Sequence, residues 1–281
     1  MHKRYQHGNI GNMLLDYILW NPGDSLIDMG FISIKYYSLC FMLAFVGSYI
    51  FVKKQFDLKK IHVEVLDKLT VYVFLGTLIG ARLGHCLFYD FAYYSQHPLE
   101  IVLPFTLDPF QFTGFQGLAS HGGGVGILVS IYLFSRKYKM KLGYLIDTVA
   151  LVVPLAGFFI RIGNLMNSEI IGKATDVSWA FIFVREDMLP RHPAQLYEAI
   201  AYLLIFITLY SINKAATKPT GFNFGFVIAA IFIVRFMVEF VKENQSAFEE
   251  GMALNMGQIL SIPFIISYLE NRCKRLSLPK Q

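Results

Sequence analysis

The chain has 281 residues, 55% of them hydrophobic and 16% charged, with a formal net charge of +5 and a mean hydropathy of +0.47. That is too apolar for an ordinary soluble domain of this length, so the chain reads as a multi-spanning membrane protein, and no nucleic-acid partner is expected. Cys40, Cys86 and Cys273 are far apart and lack the paired spacing of a zinc or redox site, which leaves them as packing residues.

The first twenty residues open on His-Lys-Arg at 2–4, but the apolar patch that follows is short, contains Asp16 and lacks a small-residue cleavage site. A retained segment at the membrane surface is expected there. Seven hydrophobic runs follow, at 31–52, 66–89, 118–134, 144–166, 194–212, 222–241 and 256–269. Each comes within reach of the roughly 17–25 residues that cross a hydrocarbon core as a helix. In lipid every backbone amide must be paired, so continuous runs of this kind form helices, and the alternation of a membrane barrel is absent. The expected fold is an all-α, polytopic bundle of about seven transmembrane helices, one membrane-embedded domain over 1–281.

Basic residues give its orientation. Lys53, Lys54, Lys59 and Lys60 follow the first run, and Arg136, Lys137, Lys139 and Lys141 the third. Lys214 and Lys218 follow the fifth, and Arg272, Lys274, Arg275 and Lys280 the seventh. The positive-inside rule makes those ends cytoplasmic, which puts the N-terminus outside and the C-terminus inside. Two outer connections, 90–117 and 167–193, are long and rich in aromatics and proline; 167–193 is expected to form a small cap on the outer, periplasmic face.

Polar residues can then be placed by depth. Arg161 stands late in the outward-running fourth span, with residues 149–160 before it uncharged, a costly position for a guanidinium. Asn164 and Asn167 continue its stripe outward, and Glu198 and Glu169 are candidate partners. His121 opens the third span in S-H-G-G-G-V-G, Arg235 and Glu239 share a face of the sixth, and Glu198 sits at the outer start of the fifth in R-H-P-A-Q-L-Y-E. Each feature also has a plainer explanation: a neutralised Arg235–Glu239 pair, an interior histidine, glycines that let helices pack closely, a snorkelling Arg82, an interfacial Tyr37. Their convergence at one depth favours a site. Arginine is suited to clamp a phosphate, because its planar fork donates two hydrogen bonds and keeps its charge. A pocket for an anionic phospholipid, open toward the outer face, is the physical reading.

H-G-G-G-V-G from His121, R-I-G-N-L-M-N-S-E from Arg161, R-H-P-A-Q-L-Y-E from Arg191, R-F-M-V-E-F from Arg235 and G-Q-I-L-S-I-P from Gly257 resemble, in order, the signatures of the bacterial prolipoprotein diacylglyceryl transferases. G-A-R-L-G from Gly80 and Tyr36-Tyr37 match as well. The resemblance implies an enzyme of the bacterial cytoplasmic (inner) membrane, working toward the outer leaflet. It would move the sn-1,2-diacylglyceryl group of phosphatidylglycerol onto the lipobox cysteine of a preprolipoprotein signal peptide, forming a thioether and releasing glycerol phosphate, without a metal or organic cofactor. By the same resemblance, His121, Arg235 and Glu239 fall on catalytic positions, and Arg161, Asn164, Tyr37 and Glu169 on positions that bind phosphatidylglycerol. The departures are Lys242-Glu243-Asn244-Gln245 where many relatives carry Arg-Glu-Pro-Asp, Ser168 in place of a glycine, and Ser120 in place of an aromatic. Two other classes fit a buried pair of arginines: a secondary transporter for an organic anion, for which the chain shows no second copy of any motif, and another phospholipid headgroup transferase.

Overall fold

The computed structural model describes residues 17–277 apart from 24, 30–32, 104, 108–109, 113–116, 244–251 and 253. Seven long helices fall on the seven predicted runs: α1 (Tyr36–Leu58), α2 (Val63–Phe88), α4 (Ser120–Tyr138), α5 (Leu142–Met166), α6 (Ala194–Ala215), α7 (Phe222–Val238) and α8 (Met256–Ser277). A short helix, α3 (Phe91–Gln96), and a 3₁₀ turn, Pro98–Ile101, lie between α2 and α4. Four helices, α1, α2, α5 and α6, are long and apolar enough to cross a membrane. Among the described residues α7 and the first part of α8 are shorter apolar helices. Several ends differ from expectation: α1 begins at Tyr36, because Ser33–Lys35 form a strand, and runs on to Leu58, and α4 runs on to Tyr138. Helix α7 stops at Val238, because Glu239 turns the chain toward a short backbone pairing at Lys242. Helix α8 continues beyond 269 because nothing in its basic tail breaks a helix.

The chain divides into two compact units, one of residues 49–149 and the other of residues 1–48 with 150–281. In the first of these, α2 and α4 pack backbone to backbone. A Cβ on Gly76 would lie 2.7 Å from Ser130 Cβ, one on Gly80 2.8 Å from Gly126 Cα, and one on Gly84 2.8 Å from Gly122 Cα. Three small residues at four-residue spacing on each helix thus make one seam, the small-residue packing that membrane helices favour. Gly124 faces open space. The expectation of close packing therefore holds for Gly122 and Gly126. Arg82 does not snorkel. It is buried, donating from Nε to the Ile101 carbonyl at 3.1 Å and from Nη2 to that of Glu100 at 2.5 Å, with its guanidinium 4.8 Å from the Tyr94 ring centre. It pins the 3₁₀ turn to α2.

The other unit holds a three-stranded sheet and the remaining helices. Strand β1 (Ile18–Trp20) runs parallel to β6 (Phe181–Phe183), which pairs antiparallel with β7 (Pro190–Arg191). Among the described residues two further antiparallel pairs occur: β2 (Ser25–Asp28) with β3 (Ser33–Lys35) here, and β4 (Phe105–Leu107) with β5 (Phe110–Phe112) in the 49–149 unit. Of the expected surface segment, residues 1–16 lie outside the described residues, and Ile18–Trp20 form a sheet strand. Trp20 closes the sheet against the helices, donating from Nε1 to the Leu165 carbonyl at 2.8 Å, over a core of Leu165, Phe181 and Phe183. Below it Leu151, Leu209 and Val227 form a second core that joins α5, α6 and α7. Cys40 and Cys86 are buried free thiols, as packing residues would be; the side chain of Cys273 lies outside the description.

Candidate active site

The R-I-G-N-L-M-N-S-E stretch ends α5 and immediately turns back. Ser168 (φ 58°) and Ile170 (φ 59°) both take the left-handed conformation, which costs a non-glycine residue about 1–2 kcal/mol. What holds that turn is Glu169 between them. Its amide donates to the Asn164 carbonyl at 2.9 Å, while Asn164 Nδ2 and Asn167 Nδ2 donate to its two carboxylate oxygens at 2.9 and 3.0 Å. Its own carbonyl accepts from Nε2 of Gln195, which is completely buried at the start of α6. Every polar atom of Glu169 thus has a partner, and the asparagine stripe expected from the sequence is the scaffold of this turn.

Arg161 stands one turn deeper. Its Nε lies 2.5 Å from Glu198 Oε2 on α6, and its Nη1 donates to Asn164 Oδ1 at 3.3 Å. The Glu198 contact is an ion pair, not a hydrogen bond, since Oε2 has no aligned donor. Tyr202, one turn beyond Glu198 on α6, lies within the electrostatic reach of Arg161 and of Arg235 on α7. Tyr37, in the first turn of α1, reaches this group because Gly163 leaves room: a Cβ there would be 2.9 Å from Tyr37 Cδ2. The Tyr37 hydroxyl feels the charges of Glu169 and Arg161. Helices α1, α5 and α6 therefore meet around Arg161.

Arg235 and Glu239 form a second cluster. Arg235 Nε is 3.8 Å from Glu239 Oε1, within reach of its field but beyond a hydrogen bond. The close partners of Glu239 are different. Lys242 Nζ donates to Oε1 at 3.1 Å, and Asn255 Nδ2 donates to Oε2 at 2.9 Å. Asn255 is itself fixed, because Asn255 and Gln258 exchange side-chain to backbone bonds of 2.9 and 3.1 Å as the capping box of α8. Gly257 completes the arrangement, since a Cβ there would sit 2.6 Å from Glu239 Cδ.

The 167–193 segment is tied to the end of α7. Gly172 pairs with Lys242, the amide of Lys173 donates to the Val241 carbonyl at 2.8 Å, and that of Glu243 to Ile171 at 3.2 Å. Arg191 bolts this junction. It grips Asp187 through Nε and Nη2 at 2.9 and 2.5 Å, and its Nη1 reaches Glu243 Oε2 at 2.5 Å and the Gly172 carbonyl at 3.1 Å. Burial opposes ionisation of Asp187, but the bonds from Arg191 and the Leu189 amide outweigh it and hold the carboxyl below its ordinary range.

Of the residues expected from the sequence, Arg161, Asn164 and Glu169 are joined by hydrogen bonds with Tyr37 packed against Gly163 beside them, and Arg235 and Glu239 form the second cluster. His121 belongs to the 49–149 unit, in the first turn of α4, at an exposed position. Sequence reasoning did not single out Tyr202 or Asn255 and met Lys242 only as a departure from the family pattern. Tyr202 sits four residues after Glu198 on the same helical face, and Asn-x-x-Gln ahead of an apolar run is a capping signature, so each left a trace.

A membrane protein with two arginines, one locked to a carboxylate and one loosely held, is the class that fold and site define. The family model described as prolipoprotein diacylglyceryl transferase matches residues 24–269. A phosphatidylglycerol-prolipoprotein diacylglyceryl transferase of Bacteroides fragilis is 52% identical over 262 residues, 92% of this chain and 94% of the relative. Proteins of the same name from Tolumonas auensis and Porphyromonas gingivalis are 42% and 37% identical, each over 89% of this chain and over 94% and 92% of their own lengths. The chain belongs to the prolipoprotein diacylglyceryl transferase family and is a transferase, which leaves the transporter reading and the other headgroup transferase without support.

Proposed function

We propose that the protein transfers the sn-1,2-diacylglyceryl group of phosphatidylglycerol to the lipobox cysteine of a preprolipoprotein signal peptide, the first step of lipoprotein maturation. It acts at the outer leaflet of the bacterial inner membrane, with seven spans, the N-terminus outside and 167–193 as the outer cap. The observation that carries the reading is the buried Arg161–Glu198 pair between α5 and α6, in a chain of this family.

The acceptor thiol, with an ordinary pKa of about 8.5, is mostly protonated at neutral pH and needs a base or a positive field. His121 is proposed to take that proton. The thiolate sulfur attacks the saturated glycerol carbon that carries the phosphate, the carbon–oxygen bond breaks, and glycerol phosphate leaves with the electron pair. Negative charge grows only on the leaving phosphate. Positioned cations in a dry site stabilise such charge more than water does. Arg161, aimed by Asn164 and the Glu169 turn, holds the phosphate in the ground state, with Tyr37 beside it. Arg235 strengthens its contact as the bond breaks. The test is binding of phosphatidylglycerol by Arg235→Ala in detergent: retained binding with lost turnover is expected, whereas equal loss of both overturns this division of roles.

A further inference from the structure

We propose that Lys242 is a positioning residue that keeps Arg235 available to the substrate by occupying the carboxylate of Glu239, an inference that rests on the proposed reaction. Lys242 is 3% exposed, which for an ammonium demands a counter-charge, and Glu239 Oε1 at 3.1 Å supplies it. The carboxylate cannot swing away from that contact. Asn255 holds Oε2, the capping box holds Asn255, and the approach of α8 at Gly257 closes the third side. Lys242 is fixed independently through its backbone, whose amide donates to Val238 at 3.0 Å and which bridges to Gly172.

Arg161 pairs with Glu198, and Lys242 takes the Oε1 of Glu239, so Arg235 is the cation of the cluster with no carboxylate within hydrogen-bond distance. It stands 3.8 Å from Glu239 and, among the described residues, its guanidinium donates no side-chain hydrogen bond; a quarter of the side chain is exposed. Remove the ammonium, and the nearest cation to a buried carboxylate is Arg235 itself. A bidentate Arg235–Glu239 pair would then form, and its guanidinium would no longer be free for the leaving phosphate.

The experiment measures kcat and KM for phosphatidylglycerol with a lipobox peptide, using the full chain in nanodiscs. Lys242→Met should lower kcat about tenfold or more, the worth of one hydrogen bond to a charged group, with KM little changed. Lys242→Arg should recover most of it. In a Glu239→Gln background, itself impaired, Lys242→Met should have no further effect, because the lysine acts only through that carboxylate. This pair carries no buried carboxylate at 239 and decides the matter even where Lys242→Met alone does not fold. A wild-type kcat in Lys242→Met, or an equal loss in both backgrounds, overturns the inference and leaves the reaction standing. No transfer by the wild-type protein overturns the reaction and the inference with it.

Discussion

Glu198→Gln separates the two things that Glu198 does for Arg161. The carboxylate is 1% exposed and lies 2.5 Å from Arg161 Nε, so the substitution leaves a buried guanidinium without its counter-charge. Breaking a buried pair on one side costs about 3–5 kcal/mol. Gln preserves shape, and Arg161 keeps Asn164, which places the cost near the lower bound. At the roughly 2 °C per kcal/mol of a large domain, melting should fall by about 6 °C. The same change frees Nε for an anion, so added phosphatidylglycerol should raise the melting temperature of the variant by more than it raises that of the wild type. Thermal unfolding in detergent, with phosphatidylglycerol and with zwitterionic lipid as control, reads both effects. Equal lipid-induced shifts in the two proteins would refute Arg161 as the phosphate ligand, and unchanged melting would refute the pair as a structural contact.

Replacing Gly126 by Val should separate α2 from α4 and cost several kcal/mol by the overpacking it forces, whereas Gly124→Ala should be neutral or stabilising by up to about 1 kcal/mol, as read by melting temperature. Ser168→Gly should stabilise by about 1 kcal/mol, since the left-handed φ of 58° suits glycine, and leave turnover intact. His121→Gln should abolish most turnover while lipid binding persists; near-normal rates would exclude proton abstraction by the imidazole. Asp187 has its folded pKa depressed, so its contribution to stability is present above the ordinary carboxylate range and lost as pH falls through the folded value. Asp187→Asn should therefore melt lower than wild type at neutral pH and converge with it in strong acid, and a constant gap would contradict the Arg191 contact.

What the sequence revealed and what it withheld divide along physical lines. Helices were legible because each is a continuous apolar run, and Arg161 stood out because nothing apolar explains it. The Arg161–Glu198 pair was one of two carboxylates that depth allowed, and only packing of α5 on α6 chose between them; Glu169 instead makes the turn. The pairing of Ile18–Trp20 with Phe181–Phe183 joins segments far apart in sequence, and no local pattern encodes such a register. Lys242 was visible only as a departure from the family pattern. Its burial against Glu239 depends on the chain turning at the end of α7 and on α8 closing over it, both tertiary facts.

The central claim concerns one bond, between a cysteine sulfur and a glycerol carbon. Purified protein in nanodiscs, incubated with phosphatidylglycerol and a lipobox peptide and followed by intact mass, should add a diacylglyceryl group to the peptide cysteine and release one glycerol phosphate for each. Folded protein that leaves the peptide unmodified, or modifies it without releasing glycerol phosphate, would contradict the account.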